Sequence, residues 1–184
     1  MRKNHQKILI LHGWGGSDFP HWQSWLAGEL AKDYGIVSFF KFSNPDTPEL
    51  TMWKSELKEH LEDFKPDIVV CHSLANLLWF HLCNDESIEE VQKLYLVAPP
   101  SLEHTIEELK SFFPVVAPEN LYAKEALLIA STNDPYMTLD EANTLQKKLN
   151  TQMEVLKDAG HINSDSGYGK WEWILEEIKQ QKPC

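Results

Sequence analysis

Basic residues are scarce in this chain of 184 residues: 17 Lys and Arg stand against 28 Asp and Glu, a formal charge of −11 at pH 7. A surface of that sign repels phosphate backbones and anionic lipid, so binding to nucleic acid or to a membrane surface is not expected. Cysteine is scarcer still, with three at irregular positions, Cys71, Cys83 and Cys184, and no CxxC pair. That argues against a disulfide framework and a thiol zinc site, and makes a reducing cytoplasm the expected location. No apolar run approaches a membrane span. The short run Ile8–Leu11 behind the basic opening Met1–Lys7 is too brief for a signal-peptide core. Low-complexity tracts, repeats at a solenoid period and long linkers are missing as well. With 42% hydrophobic residues and seven Trp, the chain is expected to form one ordinary domain over residues 1–184 with a full core.

What is present is regular alternation. Short apolar runs read as strands at Ile8–Leu11, Ile36–Phe40, Ile68–Cys71, Lys93–Ala98, Ala126–Ala130 and Gln152–Leu156. Segments with helical spacing lie between them, at residues 20–33, 49–64, 73–81, 102–113 and 138–150, and a last one follows at 168–181. Trp22 and Trp25 fall at core positions of the first. Continuously apolar strands separated by helices predict a parallel sheet covered on both faces, an α/β three-layer sandwich. In such sheets a site forms at the carboxyl ends of the strands. The residues just after each strand therefore carry the functional argument.

The third strand runs through Val70-Cys71-His72-Ser73-Leu74-Ala75 directly into a helix. A serine at a strand-to-helix turn has the layout of a nucleophile elbow, whose sharp corner needs small residues two positions away. Here those are Cys71 and Ala75, where the common pattern has glycine. Asp134 follows the fifth strand and His161 follows the last, behind Gly160. Taken singly, each has a plainer reading: a helix N-cap, a turn starter and a solvated loop histidine. Together, in the chain order Ser, Asp, His, they read as a catalytic triad. The loop His12-Gly13-Trp14-Gly15-Gly16 after the first strand lacks the spacing of a phosphate loop. It is expected to supply a backbone N–H from Trp14 or its neighbour to an oxyanion hole, with the N–H of Leu74 as the other donor. Trp14 and Tyr136 are the leading pocket candidates, with Ile162, Phe112 and Phe113 beside them. His72 is expected to face away from Ser73. The Cys and His residues near the elbow lack a closing ligand set, so no metal is expected, and no cofactor.

These residues resemble the small serine hydrolases related to bacterial YdeN and to retinoblastoma-binding protein 9, within the α/β-hydrolase superfamily. The resemblance runs from Ile8 to about Ile178. It rests on His12-Gly13 with Trp22 and Trp25-Leu26, His72-Ser73-Leu74, Asn133-Asp134-Pro135-Tyr136, Gly160-His161-Ile162-Asn163, and Ser166-Gly167-Tyr168-Gly169-Lys170-Trp171. It implies Ser73 as nucleophile, His161 as base and Asp134 as the orienting acid. It also implies a trimmed fold: six parallel strands in the order 2-1-3-4-5-6, with the first strand already leading to the oxyanion loop. Only residues 99–125 separate the fourth and fifth strands, too few for a lid domain. The segment is expected to form either a small flap carrying Phe112 and Phe113 or an ordinary crossover helix that buries them. The expected activity is hydrolysis of small carboxylic esters, or thioesters or activated amides, with a small-molecule acyl substrate. A second reading keeps the fold as a protein-binding module with little turnover.

Overall fold

The computed structural model describes residues 6–33, 35–85 and 87–180. The basic opening before Gln6, Cys184 and the last residue of the helix expected at 168–181 lie outside them. The chain alternates β1 (Lys7–Leu11), α1 (Trp22–Asp33), β2 (Ile36–Phe40), α2 (Leu50–Phe64), β3 (Ile68–His72), α3 (Leu74–Asp85) and β4 (Val91–Val97). It continues through β5 (Ala123–Ser131), α4 (Leu139–Leu149), β6 (Gln152–Leu156) and α5 (Glu172–Lys179). The six strands form one sheet in the order β2-β1-β3-β4-β5-β6, every pair parallel. This is the trimmed arrangement that the family resemblance implies.

The period of two along a strand divides the core into two layers. Leu9 and Leu11 of β1 face one layer, with α2, α3 and α4; Ile8 and Ile10 face the other, with α1 and α5. Both faces are covered, so β1 and β3 are apolar at almost every position. Trp22 is fully buried and Trp25 is half-buried against the same layer, both as expected. Helix α4 is fixed at its start by a capping box between Thr138 and Glu141. Among the described residues no helix is long and apolar enough to cross a membrane.

Two segments differ from the sequence reading. The helix expected over residues 102–113 is a short 3-10 turn, Glu107–Phe112, broken by the non-helical backbone of Leu109. No flap forms from it. Phe112 is 0% exposed and meets Trp53 of α2 edge-on at 5.7 Å between ring centroids. Its carbonyl accepts a hydrogen bond from His81 Nε2 at 2.8 Å. Phe113 is half-buried against the same layer. Phe112 is therefore a core residue and not a pocket residue, while Phe113 lies at the edge of the same layer. The last helix begins only at Glu172, because residues 163–169 are spent on a turn: Asn163 O accepts from Tyr168 N, and Gly167 is left-handed at φ 84°.

Placing Phe112 in the core sets its cost of removal. Phe112→Ala is expected to lower the unfolding free energy by about 3–5 kcal/mol. Phe113→Ala is expected to cost clearly less. Urea midpoints of the two variants beside the parent check this; equal, small losses would return Phe112 to the surface.

Candidate active site

The carboxyl ends of β1, β3, β5 and β6 converge on Ser73. At the end of β3 the chain turns into α3 with Ser73 in the left-handed region, φ 53°. That conformation costs an L-residue on the order of 1–3 kcal/mol and persists only where the surroundings enforce it. They do so here. Ser73 N donates to Val97 O at 3.0 Å. Ser73 O accepts from Asn76 N at 3.0 Å and from Asn76 Nδ2 at 2.8 Å. The same Nδ2 reaches Val97 O at 2.9 Å, so buried Asn76 ties the corner to β4. Cys71 and Ala75 are both fully buried beside the turn, where their small size is needed.

Gly13 packs against the corner. A Cβ there would stand 2.8 Å from Ser73 Cβ, 3.1 Å from His72 O and 3.3 Å from Leu74 N. Only glycine allows this approach. It brings the Gly13–Trp14 backbone to the edge of the space beside Ser73 and the Leu74 amide. The loop is braced from behind by His12, whose Nδ1–H donates to Gly13 O at 2.7 Å and whose Nε2 accepts from Phe42 N at 3.0 Å. Outside, Gly15 N donates to Pro45 O and Trp14 Nε1 to Asp46 O.

His161 completes a continuous hydrogen-bonded chain. Its Nε2 accepts from Ser73 Oγ at 2.8 Å, and its Nδ1–H donates to the Asp134 carboxylate at 2.9 and 3.0 Å. The Asp134 and His161 side chains are 3% and 9% exposed. Tyr136 N also donates to Asp134 Oδ1, at 2.9 Å, and holds the carboxylate in place. Such an arrangement leaves the lone pair of Nε2 aimed at a hydroxyl, ready to take its proton.

The loop that carries His161 is strongly constrained. Asp158, Gly160 and Ile162 are all left-handed. The amides of Asp158, Ala159 and Gly160 donate to the side chains of Thr132, Ser131 and Asn133, at and just after the end of β5. His161 N donates to Ser166 Oγ at 3.1 Å. On the inner side, the His161 carbonyl accepts from His72 Nε2 at 3.1 Å, and the Ile162 carbonyl accepts from Trp22 Nε1 at 2.8 Å. Ile162 is 0% exposed in the core beneath. The alternating left-handed backbone turns its side chain inward, so it does not line a pocket. Trp14 and Tyr136 remain at the surface, 38% and 43% exposed, and the Tyr136 ring lies 4.6 Å from that of His161. Sequence reasoning missed Asn76, Trp22, Ser131, Asn133 and Ser166 as supports, since no spacing rule marks a side chain that serves a distant loop. Among the described residues no group of three or more His, Cys, Asp or Glu is placed to hold a metal ion.

Three buried histidines surround this site in the neutral form. Burial, chiefly, lowers the pKa of His12 and pushes that of His72 well below 6.5. Burial, then repulsion by His161 and His12, brings His21 to about 4. His21 Nδ1 also accepts from Gln23 N in the first turn of α1, a cap that protonation would abolish. Folded pKa values below the unfolded value of 6.5 mean that the unfolded chain binds more protons. Stability is therefore at its full value above 6.5 and falls below it, for His21 over an interval that reaches down to about 4. The urea midpoint is expected to drop across that interval. His21→Asn, which keeps an acceptor for Gln23 N, is expected to flatten the drop. An unchanged slope would show that His21 does not carry it.

Comparison with known proteins agrees with this fold. The family model described as Serine hydrolase matches residues 8–180. Among solved structures, the ydeN gene product of B. subtilis superposes with a TM-score of 0.83 at 21% identity, over 94% of this chain and 96% of that one. A candidate YdeN-like hydrolase of Pectobacterium atrosepticum gives 0.76 at 24% identity, over 95% and 90%. The esterase domain of a Rhodothermus marinus protein gives 0.66 at 14% identity, over 95% and 85%. No curated protein sequence matches the chain. Spanning all six strands and the loops between them, the family match places this chain in the serine hydrolase family.

Proposed function

We propose that the protein hydrolyses small carboxylic esters through an acyl-enzyme on Ser73, with thioesters and activated amides open to the same chemistry. The observation that carries this reading is the unbroken chain from Ser73 Oγ through His161 to Asp134. Ser73 Oγ attacks the carbonyl carbon while His161 Nε2 takes its proton. Asp134 keeps the proton of Nδ1 in place and stabilises the imidazolium. The tetrahedral oxyanion lies against the N–H of Leu74 and that of Trp14, whose approach depends on the missing Cβ of Gly13. The imidazolium then protonates the departing alkoxide as the C–O bond breaks. Water enters, gives a proton to Nε2 and attacks the acyl carbon; as the bond to Ser73 Oγ breaks, Nε2 returns that proton to Oγ, releasing the carboxylic acid and restoring Ser73.

The segment between β4 and β5 sends Phe112 into the core instead of over the site, which favours small substrates over peptides that need several subsites. Trp14 and Tyr136 would flank the entering acyl or alcohol group. The esterase domain of the Rhodothermus marinus protein fits the same reading. Cys71 and Cys83 are free and buried, in keeping with a cytoplasmic location.

Labelling with a fluorophosphonate tests the assignment. Ser73→Ala is expected to abolish labelling and to lower turnover of p-nitrophenyl esters by about a thousandfold or more, with the far-ultraviolet dichroism kept. His161→Ala is expected to match it. Gly13→Ala is expected to lose turnover too, since its methyl meets Ser73. Full labelling of Ser73→Ala would exclude Ser73 as the nucleophile.

A further inference from the structure

His72 lies between the nucleophile and the core, and the scheme above gives it no task. Its ring is fully enclosed in a row of aromatic side chains. It meets His21 at 4.9 Å, His161 at 5.3 Å and Trp22 at 5.7 Å between ring centroids. It faces away from Ser73, as expected, and packs against Trp22 of α1. The structure adds the bond from Nε2 to the carbonyl oxygen of His161. A carbonyl can only accept, so Nε2 carries the proton of a neutral ring. Burial, and then repulsion by His161 and His21, keep that ring neutral by lowering its pKa well below 6.5.

We infer that His72 is a positioning residue for the base: its Nε2–H, donated to the main-chain carbonyl of His161, sets the distance of the His161 ring from Ser73 Oγ. The inference rests on the hydrolase reading given above. Its logic is one of levers. His72 is the residue immediately before Ser73, at the end of a fully buried strand. By bonding the His161 backbone, it links nucleophile and base through one side chain and one peptide unit. The other main-chain bonds to the 158–162 loop come from residues at and just after the end of β5, from Ser166 and from Trp22, which bonds the neighbouring Ile162 carbonyl. None of those begins at the elbow. Among the described residues, only the His72 bond ties the main chain of the base to β3, the strand that leads into Ser73. The neutral state matters as well. His161 becomes positive in each half of the cycle, and a second charge 5.3 Å away would oppose that step.

A donor at the place of Nε2 should be enough, whatever its ring. Gln puts an amide N–H near that position; Asn is one carbon too short; Leu fills the space without a donor. The experiment compares His72→Leu, His72→Asn and His72→Gln. A fluorophosphonate titration counts active sites, and kcat and KM for p-nitrophenyl acetate are then expressed per labelled site. His72→Leu and His72→Asn are expected to lose about tenfold or more in kcat per site with KM nearly unchanged, because displacement of the base acts on the transition state. His72→Gln is expected to recover most of that loss. A purely structural role would lower the number of labelled sites and leave kcat per site at the parent value; that result overturns the inference. So does a His72→Gln variant no better than His72→Asn, and this pair decides the matter even where His72→Leu does not fold. Parent protein that takes no label at all would instead overturn the hydrolase reading.

Discussion

Ser73 occupies a left-handed backbone conformation at the end of a buried strand, and the rest of the site is arranged around holding it there. The strain is local, but its restraints come from three parts of the chain. Val97 on β4 takes its amide, Asn76 in α3 takes its carbonyl, and Gly13 after β1 closes against its Cβ. Because β1, β3 and β4 are adjacent and parallel, their ends arrive together without further design. The corner directs Oγ out of the sheet, to where the loops after β5 and β6 can reach it.

Those two loops answer the same constraint at the other end of the hydrogen-bonded chain. Left-handed residues at Asp158, Gly160 and Ile162 would leave the loop strained and short of backbone partners. Side chains at and just after the end of β5 take its amides, while His72 and Trp22 meet its carbonyls from the core side. The loop is thus rigid for reasons of satisfaction rather than of regular secondary structure. The result is a His161 ring positioned by polar contacts on both sides.

Charge is distributed with the same economy. The chain carries a net −11, yet the residues beneath the site are neutral imidazoles, amides and hydroxyls. Burial holds His12, His21 and His72 unprotonated, and a neutral imidazole can donate through one nitrogen and accept through the other. His12 does both, to Gly13 O and from Phe42 N, and so fastens the loop after β1 to the chain leaving β2.

Much of this was legible in the linear chain. Six short apolar runs, alternating with helical segments, imply a doubly covered parallel sheet, because only burial on both faces tolerates continuous apolar strands. Ser73, Asp134 and His161 were visible because each follows a strand, and strand ends share one edge in such a sheet. The helix expected over residues 102–113 was not borne out, since periodicity cannot reveal that Leu109 leaves the helical region. Ile162, expected at the pocket, and Phe112, expected either on a flap or in the core, both turn inward, because backbone conformation aims a side chain. The strand order came from the family resemblance. The sequence by itself determined the layers and the candidate residues at the strand ends, since these follow from periodicity and chain direction. Tertiary structure alone decided which side chains hold them. Asn76, His72, Trp22 and Asn133 act on backbone atoms up to 140 positions away, and no local pattern encodes a partner that only folding brings near.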